Sequence, residues 1–453
     1  NSSILTDNDI LWAVAVFTGG MLIQADSIHE IVARANNLNI TSVVGGPAPS
    51  STPDLFNDAD IVFCGEAENR VAELVDAMSQ SSTKHRVLIA PPDYPDMKTV
   101  SVPRFDLLDI CQYASMSLQY SRGCPFQCEF CDIIEIFGRS TRIKNEEQVI
   151  AELEAMFQLG YRGTVFFVDD NFIGNLKAVK RLLPVIINWQ KNHGRPFEFY
   201  TEAGIGLAMD SELMRDMVDA GFTSVFIGIE TTSTYALEQA KKFQNLRMEP
   251  SDAIDRITQA GLEVMGGFIV GFDSDTEETI SEQQSFLSSQ PIPIAMVGIL
   301  MALPGTALWR RLKSEGRLRS CSTGDQFSKT NFVPVMNERT LIQHYAMLMA
   351  HLYSPKEYYK RCEKYLNSSP QQRISRTSTV GEIIALLRAI WHVGIVSSRR
   401  FMFWRLITKA FTKGRAGIRQ AVVHAVQGEH FIRYTEENLL PRLLHAANCI
   451  QIR

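Results

Sequence analysis

Residues 121–134 read SRGCPFQCEFCDII and set Cys124, Cys128 and Cys131 in a C-x3-C-x2-C pattern. Thiolate sulfur selects soft or borderline centres: zinc, copper(I) or iron–sulfur. A structural zinc site normally closes with four ligands, often as two C-x2-C pairs. Here no fourth cysteine or histidine lies nearby, and the flanking cysteines are the distant Cys111 and Cys321. A [4Fe–4S] cluster normally takes four cysteines. Three would leave one iron open, which is a catalytic arrangement rather than a structural one. Zinc or inert thiols are the plainer alternatives.

Working outward, the three cysteines follow an apolar run, SMSLQYSRG, that begins near residue 115. Five more candidate strands begin near 163, 196, 224, 263 and 292, with helical stretches between them. Asn145 and Asp210 stand where N-caps belong, and Gly160 and Gly221 where helices end. Six βα units at roughly 30-residue spacing predict a partial parallel barrel, whose site forms from residues at the strand ends. The cysteines fall on that face.

C-x3-C-x2-C with an aromatic, Phe130, before the last cysteine resembles the signature of radical SAM enzymes, and the six-unit barrel with the motif after its first strand resembles that family's fold. The resemblance implies a [4Fe–4S] cluster held by Cys124, Cys128 and Cys131, with S-adenosylmethionine chelating the open iron. It implies one-electron cleavage to methionine and a 5′-deoxyadenosyl radical, which abstracts a substrate hydrogen. A low-potential electron donor of the flavodoxin or ferredoxin kind is implied as partner. The family's methionine-amino contact falls at a Gly-Gly-Glu-like segment; this chain has Asp169, Asp170 and Asn171 there. Glu202 follows the third strand, and Gly228 and Glu230 lie at the fourth. These carboxylates are candidates for ribose hydroxyls or an ammonium group, because ionised acceptors make the stronger hydrogen bonds. The alternative is that some are caps or rim charges. Gly266, Gly267 and Gly271 are candidates for close approach of backbone to adenine.

Upstream, VVGGPAP (Gly45, Gly46, Pro47) and FCGEAE (Gly65, Glu66) end two successive strand patterns. They resemble the cobalamin-binding domain that precedes many radical SAM barrels, although a generic α/β turn would read the same. Such a domain has further βα units before its equivalent of residue 1; the chain opens on Asn1 rather than methionine, so either upstream sequence is missing or the cofactor site is incomplete. No D-x-H-x-x-G motif marks a lower cobalt ligand. The expected organisation is an incomplete Rossmann-like cobalamin domain over 1–80, a proline-bearing linker over 81–112, the (β/α)6 barrel over 113–320 and an α-helical region over 321–453. With cobalamin, the implied reaction is methyl transfer to an unactivated carbon. Cyclisation, oxidation or rearrangement with the same cofactors is an enzymatic alternative, and an iron–sulfur redox or sensor protein is a non-enzymatic one. The stretches CEFCDIIEIFGR, FFVDDNFIGN and GFIVGFD resemble the subgroup containing the bacterial hopanoid C-2 methylase, which implies a lipid or other hydrophobic small-molecule substrate.

Composition bounds this reading. The 453 residues suggest two or three domains, and 45% hydrophobic content suffices for their cores. A formal net charge of -5 provides no global basic field, so no nucleic-acid partner is expected. Cys64, Cys111, Cys321, Cys362 and Cys449 are scattered singly, as expected for reduced, buried thiols in a cytoplasmic protein. No uncharged apolar run reaches 18 residues, so no transmembrane helix is expected. Residues 396–419 pair Phe401, Phe403, Trp404 and Phe411 with Arg399, Arg400, Arg405, Lys409 and Lys413. That pattern suits peripheral membrane contact, or a core-facing helix with a solvated back. His424 and His430 read as ordinary histidines.

Overall fold

The computed structural model describes residues 5–79, 86–89, 94–370 and 380–449. Two parallel sheets organise the chain. The first has four strands in sequential order, Ala15–Gly19, Thr41–Gly45, Ile61–Cys64 and Arg86–Ile89. The last of these lies within residues 81–112, which the proline content had marked as linker. RVLI instead extends the sheet by pairing Ile61 with Arg86 through Cys64 with Ile89.

The second sheet carries six parallel strands, again in sequential order: Ser115–Leu118, Thr164–Phe167, Glu198–Ala203, Phe222–Glu230, Glu263–Val270 and Ala295–Ile299. Each crossover contains helix, as parallel pairing requires. Asn145 caps Glu146–Gln158 by accepting from the Gln148 N–H, and Asp210 caps Ser211–Ala220 by accepting from the Leu213 N–H. Gly160 and Gly221 end these helices with positive φ. Inside the barrel Phe167, Phe172, Phe199 and Phe222 pack ring on ring, with centroids 5.1–5.4 Å apart.

The barrel is open, so its sixth strand is an edge whose carbonyls need partners. The C-terminal helices supply them. Tyr345 on Glu338–Leu352 donates its hydroxyl to the Val297 carbonyl at 2.8 Å, and Tyr353, just after that helix, donates to Ala295 at 2.6 Å. Ser354 and Pro355 restart the chain as Pro355–Ser368. Arg361 on that helix is fully buried; its guanidinium donates to the carbonyls of Ile292, Leu352 and Pro293. The long helix Gly414–Tyr434 covers the N-terminal ends of the strands, where Arg419 pairs with Glu198 and His424 Nε2 lies 2.9 Å from Glu263 Oε1. His424 therefore sits wholly inside the protein. All eight cysteines are free thiols; Cys64 and Cys362 are buried, but Cys111, Cys321 and Cys449 are exposed, against the expectation of burial.

Candidate active site

Beyond Leu118 the chain leaves the barrel rim. Ser121–Arg122 then pairs antiparallel with Arg142–Ile143, which closes residues 123–141 into a lobe carrying all three cysteines. Gly123, with φ +88°, admits this closure: a Cβ there would stand 2.7 Å from the Ser140 carbonyl oxygen and 2.9 Å from that of Gly138. Cys124 N donates to Gly138 O at 3.3 Å and Cys131 N to Cys128 O at 3.2 Å.

Each sulfur has its own hydrogen-bond donor. Cys124 receives the Phe126 N–H and the Asn171 side chain. Cys131 receives the Ile133 N–H. Gln244 Nε2 lies 3.3 Å from Cys128 Sγ. Burial pushes the Cys124 and Cys131 thiols up, and the charge of neighbouring cysteines adds to the effect. Thiolates gathered in such a place need a cationic partner to ionise. Among the described residues no group of three or more His, Cys, Asp or Glu side chains is placed to hold a single metal ion. A cube binds its three thiolates at separate irons and needs no such convergence, so the donor set fits a [4Fe–4S] cluster better than zinc.

The carboxylates divide by task. Asp169 is buried and accepts from Tyr120 N, Ser121 N and Ser121 Oγ at 2.7–2.9 Å. Asp170 accepts from Gly123 N at 2.8 Å. Both pin the cysteine lobe to the end of the second strand. Burial pushes Asp170 up to about 6, against the pull of that N–H and of Arg122. Asn171 accepts from Gly204 N at 3.1 Å besides reaching Cys124, so it too is engaged within the protein. Glu202 is pushed up to about 7 by burial, reinforced by the charges of Asp170, Asp169 and Glu230. Glu230 has φ +67° at a break in strand register and ion-pairs with Lys242. Gly228 is bare on account of this pair: a Cβ would run into the Glu230 carboxylate and come within 2.8 Å of Lys242 Nζ. Phe130 packs edge-on against Phe272, and Lys242 Nζ lies 5.9 Å from its ring centroid.

Lys242 and Gln244 escaped the sequence reading. They stand on KKFQN, downstream of the fourth strand, where no local pattern marks them. Only the fold brings one to Glu230 and the other to Cys128.

Residues 118–286 match the radical SAM superfamily, and residues 306–440 match a domain of unknown function, DUF4070. An uncharacterized methyltransferase of Synechocystis sp. is 38% identical over 439 residues, 95% of this chain and 82% of that protein. The hopanoid C-2 methylase of Rhodopseudomonas palustris is 34% identical over 447 residues, 96% of this chain and 84% of that protein. The chain belongs to the radical SAM superfamily. Two solved structures share the fold. The radical S-adenosylmethionine methyltransferase TsrM of Kitasatospora setae, with cobalamin and a [4Fe–4S] cluster bound, matches at TM-score 0.58 and 17% identity, over 68% of this chain and 69% of that one. The cobalamin-dependent S-adenosylmethionine radical enzyme OxsB matches at 0.60 and 15%, over 98% and 72%.

On the radical SAM barrel the cysteine lobe meets the first sheet. Gly19, Gly45 and Cys64 end three adjacent parallel strands, and Gly46 and Gly65 follow two of them. Ser50 Oγ donates to Gly46 O at 2.7 Å and accepts from Gly65 N at 2.8 Å, which ties two strand ends together. Pro47 opens a short helix, Pro47–Ser51, that contacts Ile133–Ile136 directly after Cys131. Glu66 does not point into open space. Its carboxylate takes Arg122 at 2.5 Å and Arg142 at 2.5 Å, and Arg122 also takes Glu68 at 2.6 Å. Glu66 therefore joins the first sheet to the cysteine lobe.

The raised Glu202 yields a stability prediction. Its burial cost is absent below the unfolded value, near 4, and grows as pH rises through about 7. A glutamine is neutral throughout. Glu202→Gln is expected to stabilise the cofactor-free protein by up to about 3 kcal/mol near pH 8, with little gain near pH 4.5. Thermal unfolding at the two pH values checks this; a gain independent of pH would place the cause elsewhere.

Proposed function

We propose that this radical SAM enzyme is a cobalamin-dependent methyltransferase acting on an unactivated carbon of a hydrophobic, hopanoid-like substrate. The observation that carries the reading is a lobe of three hydrogen-bonded thiols at the barrel rim, facing a bare-backbone rim on the neighbouring sheet. The near full-length likeness to a hopanoid C-2 methylase supports the choice of substrate class.

A [4Fe–4S] cluster bound by Cys124, Cys128 and Cys131 supplies the reductive cleavage of S-adenosylmethionine, with electrons from a flavodoxin- or ferredoxin-like donor. Cobalamin on the rim of Gly45, Gly46, Pro47 and Gly65 supplies the methyl group. The chain's own residues do the rest. Gln244, Asn171 and two backbone N–H groups support the thiolates. Asp169 and Asp170 hold the lobe rigid. Glu202 is a free-facing acceptor for the ammonium or ribose of S-adenosylmethionine, since a cation beside it offsets its burial. Lys242 offers a cation of its own to an incoming carboxylate, at the cost of its pairing with Glu230.

Anaerobic preparation with iron, sulfide and cobalamin, followed by incubation with a hopanoid-containing lipid extract, tests the reading. The expected result is 5′-deoxyadenosine together with a product heavier by one carbon and two hydrogens. Deoxyadenosine with a product of unchanged carbon count would favour cyclisation or oxidation, and no deoxyadenosine at all would leave only a redox or sensor role.

A further inference from the structure

A second surface stands apart from this chemistry. Between residues 383 and 428 the chain has no Asp or Glu and eight Lys or Arg. The first half of this stretch folds back on itself. Val380–Ala389 continues into a π-helical turn, Ile390–Val396, and the chain returns as Arg400–Ala410. Trp404 Nε1 donates to Gly394 O at 2.9 Å and braces the two arms. Arg399 fixes the tip from within by pairing with Glu429 at 2.8 Å and Glu436 at 3.0 Å. Val393, Phe403, Leu406 and Ile407 point inward and are buried.

An ordinary surface hairpin with that inner face would be polar outside. This one is not. Phe401 is 76% exposed, Val396 60% and Trp391 57%, with Ile395 and Trp404 also exposed. The aliphatic side chains and Phe401 occupy the tip, and the two tryptophans stand one turn back on either arm. Arg388 and Arg400 are exposed beside them, and among the described residues neither has a carboxylate partner. Apolar tip, flanking tryptophans and unneutralised arginines are the three features that seat a protein on an anionic bilayer: the tip enters the acyl boundary, the indoles lie at headgroup level and the guanidinium groups meet lipid phosphate. No helix among the described residues is long and apolar enough to cross a membrane, so the contact is peripheral.

We propose that the hairpin tip around Ile395, Val396 and Phe401 docks this protein on the surface of anionic membranes. The inference is independent of the reaction assigned above, because none of these residues belongs to the barrel rim. Charge selects the bilayer over a second copy of the chain, since two such surfaces would oppose arginine to arginine.

Flotation of the full chain with vesicles tests it, using phosphatidylglycerol mixed with phosphatidylcholine against phosphatidylcholine alone. Binding is expected to the anionic vesicles, with weakening of at least about fivefold on neutral ones. Arg400→Glu is expected to weaken anionic binding roughly tenfold, and Ile395→Ser/Val396→Ser/Phe401→Ser together by about a hundredfold or more. Brominated lipid should quench tryptophan fluorescence in the unaltered chain and not in the triple variant. Circular dichroism and iron content unchanged in both variants separate lost docking from misfolding; if the triple variant misfolds, Arg400→Glu and the quenching carry the test. Failure to float with anionic vesicles would overturn the proposal. So would equal binding to neutral ones, or a dimer in light scattering that the triple substitution dissolves.

Discussion

Cys128→Ala is expected to remove the visible absorption of a reconstituted cluster and to bring 5′-deoxyadenosine formation down to background. Cys128 is a buried residue, whereas Cys124 and Cys131 are half-buried, and it faces Gln244 from a segment 116 residues away. A [4Fe–4S] cube tethered at three corners has no spare thiolate, since the other cysteines of the chain nearest in sequence are Cys111 and Cys321. Alanine would leave a second iron without a protein ligand, and the vacancy would open the cluster to loss of iron rather than to orderly binding of S-adenosylmethionine. Cys124→Ala and Cys131→Ala should behave alike. Iron and sulfide content, the absorption spectrum and deoxyadenosine are the measurements. An alanine variant at any of the three positions that keeps its cluster and still forms deoxyadenosine would refute the ligand assignment.

Glu66→Ala is expected to separate two activities that the unaltered protein couples. The Glu66 side chain is only 4% exposed and holds both Arg122 and Arg142. Arg122 keeps Glu68 when Glu66 is lost, but Arg142 keeps no carboxylate among the described residues, and is left with the carbonyls of Pro95 and Phe137 and the face of the Tyr94 ring. A charge stranded in that way costs about 3–5 kcal/mol, and the cost falls on the contact between the first sheet and the cysteine lobe. Thermal unfolding should therefore show the first sheet leaving before the barrel. On the proposed function, cleavage of S-adenosylmethionine at the barrel should persist, whereas methyl transfer, which would need both rims together, should fail. Combining Glu66→Leu with Arg142→Met removes both charges and should recover docking, because a buried pair replaced by apolar groups leaves no charge stranded. If Glu66→Ala unfolds in one transition at the original temperature, Glu66 is not the clamp, and its place among cofactor contacts is open again.

Much of the fold was legible because its signals are local. The six strand starts, the capping residues Asn145 and Asp210 and the terminating glycines all follow from alternation, capping and backbone preference within a few residues. The cysteine spacing was legible for the same reason: the three thiols sit within eight residues. The strand Arg86–Ile89 was missed because four residues between prolines and polar segments carry too little pattern to outweigh their surroundings. The carboxylates show a different limit. Asp169, Asp170, Glu202 and Glu230 look alike from the chain, each an acid at a strand end. Their neighbours divide them: two brace the lobe, one pairs with Lys242 and one is left buried with its charge opposed.

From the sequence by itself came the thiolate triad, the strand-helix rhythm that sets it on a barrel rim, and the acid-free basic stretch near the C-terminus. Tertiary structure alone decided which polar groups are spent inside the protein and which remain for ligands. Glu66 meets Arg122 across 56 residues and Glu198 meets Arg419 across 221. No local preference encodes such meetings, because the energy of a buried charge is fixed by whatever the folded chain brings within a few ångströms of it.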